Sequence, residues 1–161
     1  MQKDLAISAA KHADIPALCE LLAILFEQEP EFEIDAARQT AGLKQILDKP
    51  EQGHIVVLRD GDRPVGMVVL LFTLSTAMGG RVAVMEDMVL RPEYRNRGAG
   101  SELIREAIEF ARQSGCKRIT LLTDRANVGA HDFYMRNGFR TSTMKAMRLI
   151  LDGSWPKRSS A

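Results

Sequence analysis

The stretch that most restricts the fold runs from Val82 to Ser114. Val82–Leu90 is an apolar strand broken by two adjacent carboxylates, Glu86 and Asp87. Arg91–Arg97 is a turn, and Gly98–Ser114 is a helix with Leu103, Ile104, Ala107, Ile108 and Ala111 on one face and Gly115 as its stop. A strand that passes through a short turn into an amphipathic helix needs a sheet for that helix to cover, so the fold combines helices with a sheet.

The turn reads RPEYRNRGAGSEL, and Arg95, Gly98 and Gly100 fit R-x-x-G-x-G. Placed between a strand and a helix, this pattern leaves unpaired backbone N–H groups at the helix N-terminus, where the macrodipole favours an anion. Gly98 and Gly100 let the backbone approach such an anion, and Arg95 and Arg97 add positive charge that suits phosphate. The same residues also fit a plain helix start with tight helix–strand packing. The spacing is not that of a dinucleotide fingerprint, which needs G-x-G-x-x-G, nor of a P-loop, because Ser101-Glu102-Leu103 follows Gly100.

The remaining elements follow from periodicity. Leu5–Ser8 is a short strand, and Ile15, Leu18, Leu22 and Leu25 take helical spacing after Asp14, a candidate N-cap, with Pro16 in the first turn. A second helix spans Ala36–Leu47. His54–Arg59 and Val65–Ser75 form a hairpin about Asp60-Gly61-Asp62, and Thr76–Arg81 is a loop. Ile119–Thr123 is a strand, Val128–Asn137 a helix ended by Gly138, and Phe139–Leu151 is expected to return as a final strand or bent hairpin. This order predicts an α+β (mixed α/β) fold with a mixed, mostly antiparallel sheet flanked by helices. Residues 1–151 are read as one domain, with a flexible tail at 152–161. A chain of 161 residues with 45% hydrophobic content can build a core without a disulfide or metal. Cys19 and Cys116 have neither metal-ligand nor disulfide-framework spacing, which fits reduced thiols in a cytoplasmic protein. A net charge of +1 gives no field to recruit nucleic acid, and no segment approaches a membrane span.

The segment from about Met85 to Phe139 resembles the coenzyme A-binding core of the GNAT superfamily of N-acetyltransferases, whose signature is [QR]-x-x-G-x-[GA]. A second family pattern, N-x-x-A-x-x-F-Y-x-x-x-G-F, recurs at Asn127, Ala130, Phe133, Tyr134, Gly138 and Phe139. The resemblance implies a GNAT-like fold and acetyl-CoA as co-substrate, with no metal. It implies that Met88, Val89 and Leu90 bond the pantetheine arm through main-chain groups, where the strand splays from its neighbour at a bulge. Arg95, Asn96, Arg97, Gly98, Ala99, Gly100 and Ser101 would hold the pyrophosphate, and Asn127 would add a hydrogen bond or simply cap its helix. Tyr134 would serve the leaving thiolate as acid or hydrogen-bond donor; otherwise it is a packed aromatic beside Phe133.

Glu86 and Asp87 need an explanation, because an ionised carboxylate without a partner is costly to bury. Strand alternation places them on opposite faces. Acetyl transfer needs a neutral amine, and an alkylamine with a pKa of about 10 is mostly protonated at neutral pH. A carboxylate near the amine can accept that proton. Glu86 matches the position of such a base in related small-amine acetyltransferases; the alternative for either acid is a structural pairing with an arginine. His12, His54 and His131 match no catalytic arrangement, with surface or capping use expected for His131. The acceptor is expected to be a small-molecule amine, with a protein or peptide amine open. The acidic stretch Glu27, Glu29, Glu31, Glu33 and Asp35 either attracts a cationic amine or is a solvated loop. Homodimerisation is expected from the resemblance. An acyl-CoA-binding sensor without turnover is the alternative function, disfavoured by the presence of both Glu86 and Tyr134.

Overall fold

A computed structural model of the chain describes residues 4–154. The strands are β1 (Leu5–Ala9), β2 (Gly53–Asp60), β3 (Arg63–Ser75), β4 (Gly80–Leu90) and β5 (Ile119–Leu121). The helices are α1 (Ile15–Phe26), α2 (Ala36–Asp48), α3 (Ala99–Gln113) and α4 (Val128–Arg136). Single 3-10 turns at His12–Asp14 and Pro92–Tyr94 lead into α1 and out of β4. The five strands lie in the sheet in chain order. Successive pairs are antiparallel except β4 and β5, which run parallel because α3 crosses between them. The sheet is therefore mixed and mostly antiparallel, as the element order implied.

Helices cover both faces, and this explains why β2 and β3 read as nearly unbroken apolar runs. Val56, Leu58, Val68, Leu70, Met85, Leu103, Ile104 and Ala107 form one core under α3. Ile55, Val57, Met67, Val69, Leu18, Leu21 and Leu43 form the other under α1 and α2. Leu18, Leu21, Leu103 and Ile104 are fully buried, and each such side chain contributes about 1.5–3 kcal/mol on removal from water.

Asp14 does more than begin α1. Arg59 on β2 holds its carboxylate in a two-pronged pair, Nη1 to Oδ1 at 2.9 Å and Nη2 to Oδ2 at 2.7 Å, while Lys11 N–H donates to Oδ2. Arg59 also donates to Ser8 Oγ on β1. The first helix is thus pinned to β1 and β2 by one largely buried ion pair.

The last expected strand is absent. Residues 140–154 join no ladder, and Met144, Met147, Leu149 and Leu151 are all more than 80% exposed. The physical reason is that a strand needs a neighbour to satisfy its backbone, and β5, the edge it would extend, is only three residues long. Arg148 instead turns toward the loop between α1 and α2, pairing with Glu31 and standing 5.7 Å over the Phe32 ring. Of the flexible tail expected at 152–161, residues 155–161 lie outside the described residues. No helix among the described residues is long and apolar enough to cross a membrane.

Candidate active site

The site begins where two strands part. β4 pairs with β5 only through Ala83, Val84 and Met85, but continues along β3 as far as Leu90. From Glu86 to Leu90 the β5-facing edge of β4 has no strand partner among the described residues, an open edge of the kind an extended ligand can meet, although the Leu90 carbonyl already accepts from Arg95 Nε.

The same segment carries a bulge. Val69 opposes Glu86 and Met67 opposes Val89, so Val68 faces both Asp87 and Met88. Asp87 takes φ +53°, a left-handed conformation that costs an ordinary side chain about 1–2 kcal/mol and that aspartate tolerates better than most. The side-chain alternation shifts phase across it: Ala83 and Met85 pack toward α3, and so does Leu90 five residues on, whereas Val89 packs toward α1 and α2. The ladder gains its extra residue between Glu86 and Val89, so strand alternation alone does not set the faces of Glu86 and Asp87. Glu86 is exposed, and Asp87 is half-buried. Burial, and then the charge of Glu86, push the Asp87 carboxyl up to about 7. The alternative of a structural arginine partner is not met for either acid among the described residues; the nearby Arg91 pairs with Glu20 of α1.

Beyond Leu90 the turn is held from two sides. Tyr94 is buried and donates its hydroxyl hydrogen to Asp60 at 2.5 Å, while Arg95 Nε donates to the Leu90 carbonyl at 3.1 Å. Arg95 thereby braces the strand end, and Asn96 and Arg97 are exposed. Asn96 and Gly98 both adopt positive φ, +59° and +82°. Gly98 is the N-cap of α3 and supplies no side-chain cap. Glu102 N–H makes the first bond back, to the Gly98 carbonyl, so the N–H groups of Ala99, Gly100 and Ser101 have no acceptor within the helix. An uncapped N-terminus on a helix of this length is an anion site in outline.

The two glycines differ in what they do. A side chain at Gly98 would meet nothing within 4 Å, so its requirement is conformational. A Cβ at Gly100 would point inward, 3.4 Å from Phe133 Cε2 and 3.7 Å from Leu90 Cδ1. Gly100 thus serves close packing between α3, β4 and α4, and Gly98 the left-handed turn into α3. This contact also brings the second motif to the first. Asn137 Nδ2 donates to Ser101 Oγ at 3.4 Å and to the Phe133 carbonyl at 2.8 Å, tying the end of α4 to the start of α3.

Tyr134 lies on α4 between Phe133 and Phe139, edge-on to both rings at 5.3 and 5.7 Å. Its hydroxyl is pushed up to about 12 by burial and by the charge of Glu29, so it keeps its proton throughout the neutral range. Asn127 caps α4, its Oδ1 accepting from Ala130 N–H at 3.1 Å, and His131 Nε2 lies 2.8 Å from the Asp124 carbonyl oxygen, a local tie consistent with the capping expectation. Glu29 was not singled out by periodicity. It sits in the loop after α1, where burial and then the charges of Asp124 and Glu31 raise its carboxyl. Only the run of acids marked it in advance.

The family model for the acetyltransferase (GNAT) family matches residues 16–139. The chain is 30% identical over 153 residues to glucosamine 6-phosphate N-acetyltransferase of Trypanosoma brucei brucei, covering 92% of this chain and 97% of that one. It is 30% identical over 133 residues to aminoalkylphosphonate N-acetyltransferase of Salmonella typhimurium, covering 83% and 80% respectively. A crystal structure of a Trypanosoma brucei acetyltransferase superposes with a TM-score of 0.71 at 27% identity, covering 92% of this chain and all of that one. With the parted strands, the uncapped helix and the adjoining tyrosine in place, the chain belongs to the GNAT family and is an N-acetyltransferase.

Proposed function

We propose that the protein transfers an acetyl group from acetyl-CoA to a primary amine by direct attack within a ternary complex. The observation that carries this reading is the meeting of a free strand edge, Glu86–Leu90, with an uncapped helix N-terminus at Ala99–Ser101, one turn apart in the chain. An extended arm ending in a pyrophosphate fits that pair of surfaces. Main-chain groups of Met88, Val89 and Leu90 hold the arm, and the Ala99, Gly100 and Ser101 N–H groups hold the pyrophosphate, with Arg97 free to add charge. Acetyl-CoA supplies the activated acyl thioester when bound. Asn127 shapes the loop before α4, since its side chain is already committed to the cap.

Glu86, exposed at the parting of the strands, meets the acceptor ammonium and draws its proton, directly or through water. Tyr134 faces the departing sulfur. A hydroxyl pushed up to about 12 is a weaker acid than a thiol near pKa ~8.5, so Tyr134 steadies the thiolate by donating a hydrogen bond and keeps its own proton. The acceptor is a small cationic amine: the run from Glu27 to Asp35 carries five carboxylates, and among the described residues Glu31 and Asp35 alone of them form ion pairs, with Arg148 and Arg38. A peptide amine is the second candidate for the same charge reason. We place the protein in the cytoplasm and read it as a homodimer, on the exposed apolar row of Met147, Leu149 and Leu151, which a second copy would cover.

Calorimetric titration with acetyl-CoA, followed by thiol release across a panel of polyamines, amino acids, aminoglycosides, aminoalkylphosphonates and short peptides, tests the reading. Binding with amine-dependent release supports it. Absence of acetyl-CoA binding contradicts it.

A further inference from the structure

We propose that the Glu31 carboxylate and the Phe32 ring form a seat for an organic cation, and that Arg148 is its resting occupant, displaced when a cationic acceptor binds. The inference deepens the acetyl-transfer reading and rests on it for the identity of the ligand. An acid beside an aromatic face is the chemistry that holds organic cations. Arg148 meets both at once: its guanidinium pairs with Glu31 and stands 5.7 Å over the Phe32 ring.

The seat is built without its occupant. Glu29 N–H donates to the Phe26 carbonyl and Phe32 N–H to the Glu29 carbonyl, both at 3.2 Å, so the turn after α1 closes through its own backbone. The Phe32 ring leans on Phe26, with centroids 5.3 Å apart. The occupant, by contrast, arrives on a segment held by little else. Among the described residues, the Arg148–Glu31 pair is the only hydrogen bond or ion pair that joins residues 140–154 to the rest of the chain. The others in that segment are local, Met144 N–H to Ser142 Oγ and Ser154 N–H to Asp152 Oδ1. The partners are open to solvent: the Arg148 and Glu31 side chains are 38% and 47% exposed, and Phe32 is 46% exposed. An ion pair this exposed is weakly held, and a dissolved cation can reach it.

The surrounding charges favour a cation there. Glu27, Glu29 and Glu33 of the same loop form no ion pair among the described residues, and Arg38 of α2 is paired with Asp35. Arg148 also draws the raised Glu29 carboxyl back down, so one guanidinium offsets two carboxylates. Glu29 is in turn the charge that, after burial, raises the Tyr134 hydroxyl, which links the seat electrostatically to the tyrosine assigned to the sulfur. A ligand cation that replaces Arg148 keeps this balance. Glu86 takes the nitrogen that reacts, so the seat takes a second positive charge. The acceptor class thereby narrows to di- and polyamines and other amines that carry two cations.

n-Propylguanidinium, a free copy of the end of an arginine side chain, tests the seat without turnover. In protein labelled with nitrogen-15 arginine, the Nε–H signal missing from Arg148→Gln identifies Arg148, and the probe should shift it toward that of a free guanidinium. The probe should bind Arg148→Gln roughly three- to thirtyfold more tightly than wild type, the range for removing a competing exposed ion pair and cation–π contact. Arg148→Lys should fall between them, and adding Glu31→Gln to Arg148→Gln should abolish the gain. In thiol release, Arg148→Gln should lower KM for 1,4-diaminobutane by a similar factor and leave that for n-butylamine unchanged. Equal probe affinity in wild type and Arg148→Gln, with an unmoved Nε–H signal, would overturn the proposal and leave acetyl transfer standing. A KM raised by Arg148→Gln for aminoalkylphosphonates alone would also overturn it, by making Arg148 an anion contact. No turnover of any amine by the wild-type protein would refute the acetyl-transfer reading, and the assignment of the seat to an acceptor with it, while the probe titration would still decide whether the seat exists.

Discussion

Gly98→Ala separates the two glycines of the turn. Gly98 holds φ +82° as the N-cap of α3, and an added Cβ would touch nothing within 4 Å. The cost of alanine there is the left-handed backbone alone, about 1–2 kcal/mol. For a chain of this size each kcal/mol moves Tm by roughly 2–4 °C, so Tm should fall by about 2–8 °C. If the backbone relaxes instead, the Ala99, Gly100 and Ser101 N–H groups turn away from the anion. Losing one hydrogen bond to a charged group costs about 1.5–3 kcal/mol, or roughly ten- to a hundredfold in Kd for acetyl-CoA. Gly98→Asn should recover part of both losses, because asparagine tolerates positive φ. Gly100→Ala is the control. Its Cβ would make ordinary contacts with Phe133 and Leu90, and alanine is the better helix former by up to about 1 kcal/mol, so Tm should hold or rise and Kd should stay within about twofold. Differential scanning calorimetry and isothermal titration read both quantities. A Gly98→Ala protein with wild-type Tm and Kd would refute the argument, as would a Gly100→Ala protein that fails to bind.

Tyr134→Phe should lower kcat by about 100-fold with acetyl-CoA affinity nearly unchanged, as stopped thiol release and calorimetry would show; an equal loss in affinity would mean the ring only packs. Asp14→Asn leaves Arg59 buried without its charge partner and should cost about 3 kcal/mol in chemical denaturation at pH 7. Arg59 holds the Asp14 carboxyl below its ordinary value, so its contribution is complete above the unfolded pKa near 3.9 and is lost as pH falls through the lower folded one. The gap between wild type and Asp14→Asn should therefore close in acid. Asp87 has the opposite sign: its folded pKa is raised to about 7, so the folded state loses stability relative to the unfolded one as pH rises from about 4 to 7. Asp87→Asn should gain on wild type across that window, and a pH-independent difference would contradict the shift.

Much of the fold was legible because its periodicities are strong. The face of α3 from Leu103 to Ala111, the two-faced strands β2 and β3, and the glycine stops at Gly115 and Gly138 each follow from local rules, and each lies where those rules put it. What was not legible depends on pairing between distant segments. The stretch from Met144 to Leu151 has strand-like alternation, but alternation cannot tell whether an edge exists to receive it, and Arg148 turned inward to Glu31 while the apolar row turned out. The bulge at Asp87 is hidden for a related reason: two carboxylates in a strand reveal that something interrupts it, whereas the phase shift depends on register with Val68 across the hairpin. At the site, the glycine turn and the Phe133-Tyr134 motif were recognisable separately. Their contact through Gly100 and Ser101 is a tertiary fact, as is the action of the Glu29 charge on Tyr134.

A crystal structure with bound coenzyme A tests the central claim most directly. The account predicts the pyrophosphate against the N–H groups of Ala99, Gly100 and Ser101, the pantetheine arm along Glu86–Leu90, and the sulfur beside Tyr134. Density for the cofactor elsewhere on the protein, with the α3 N-terminus and the β4 edge facing water, would contradict it.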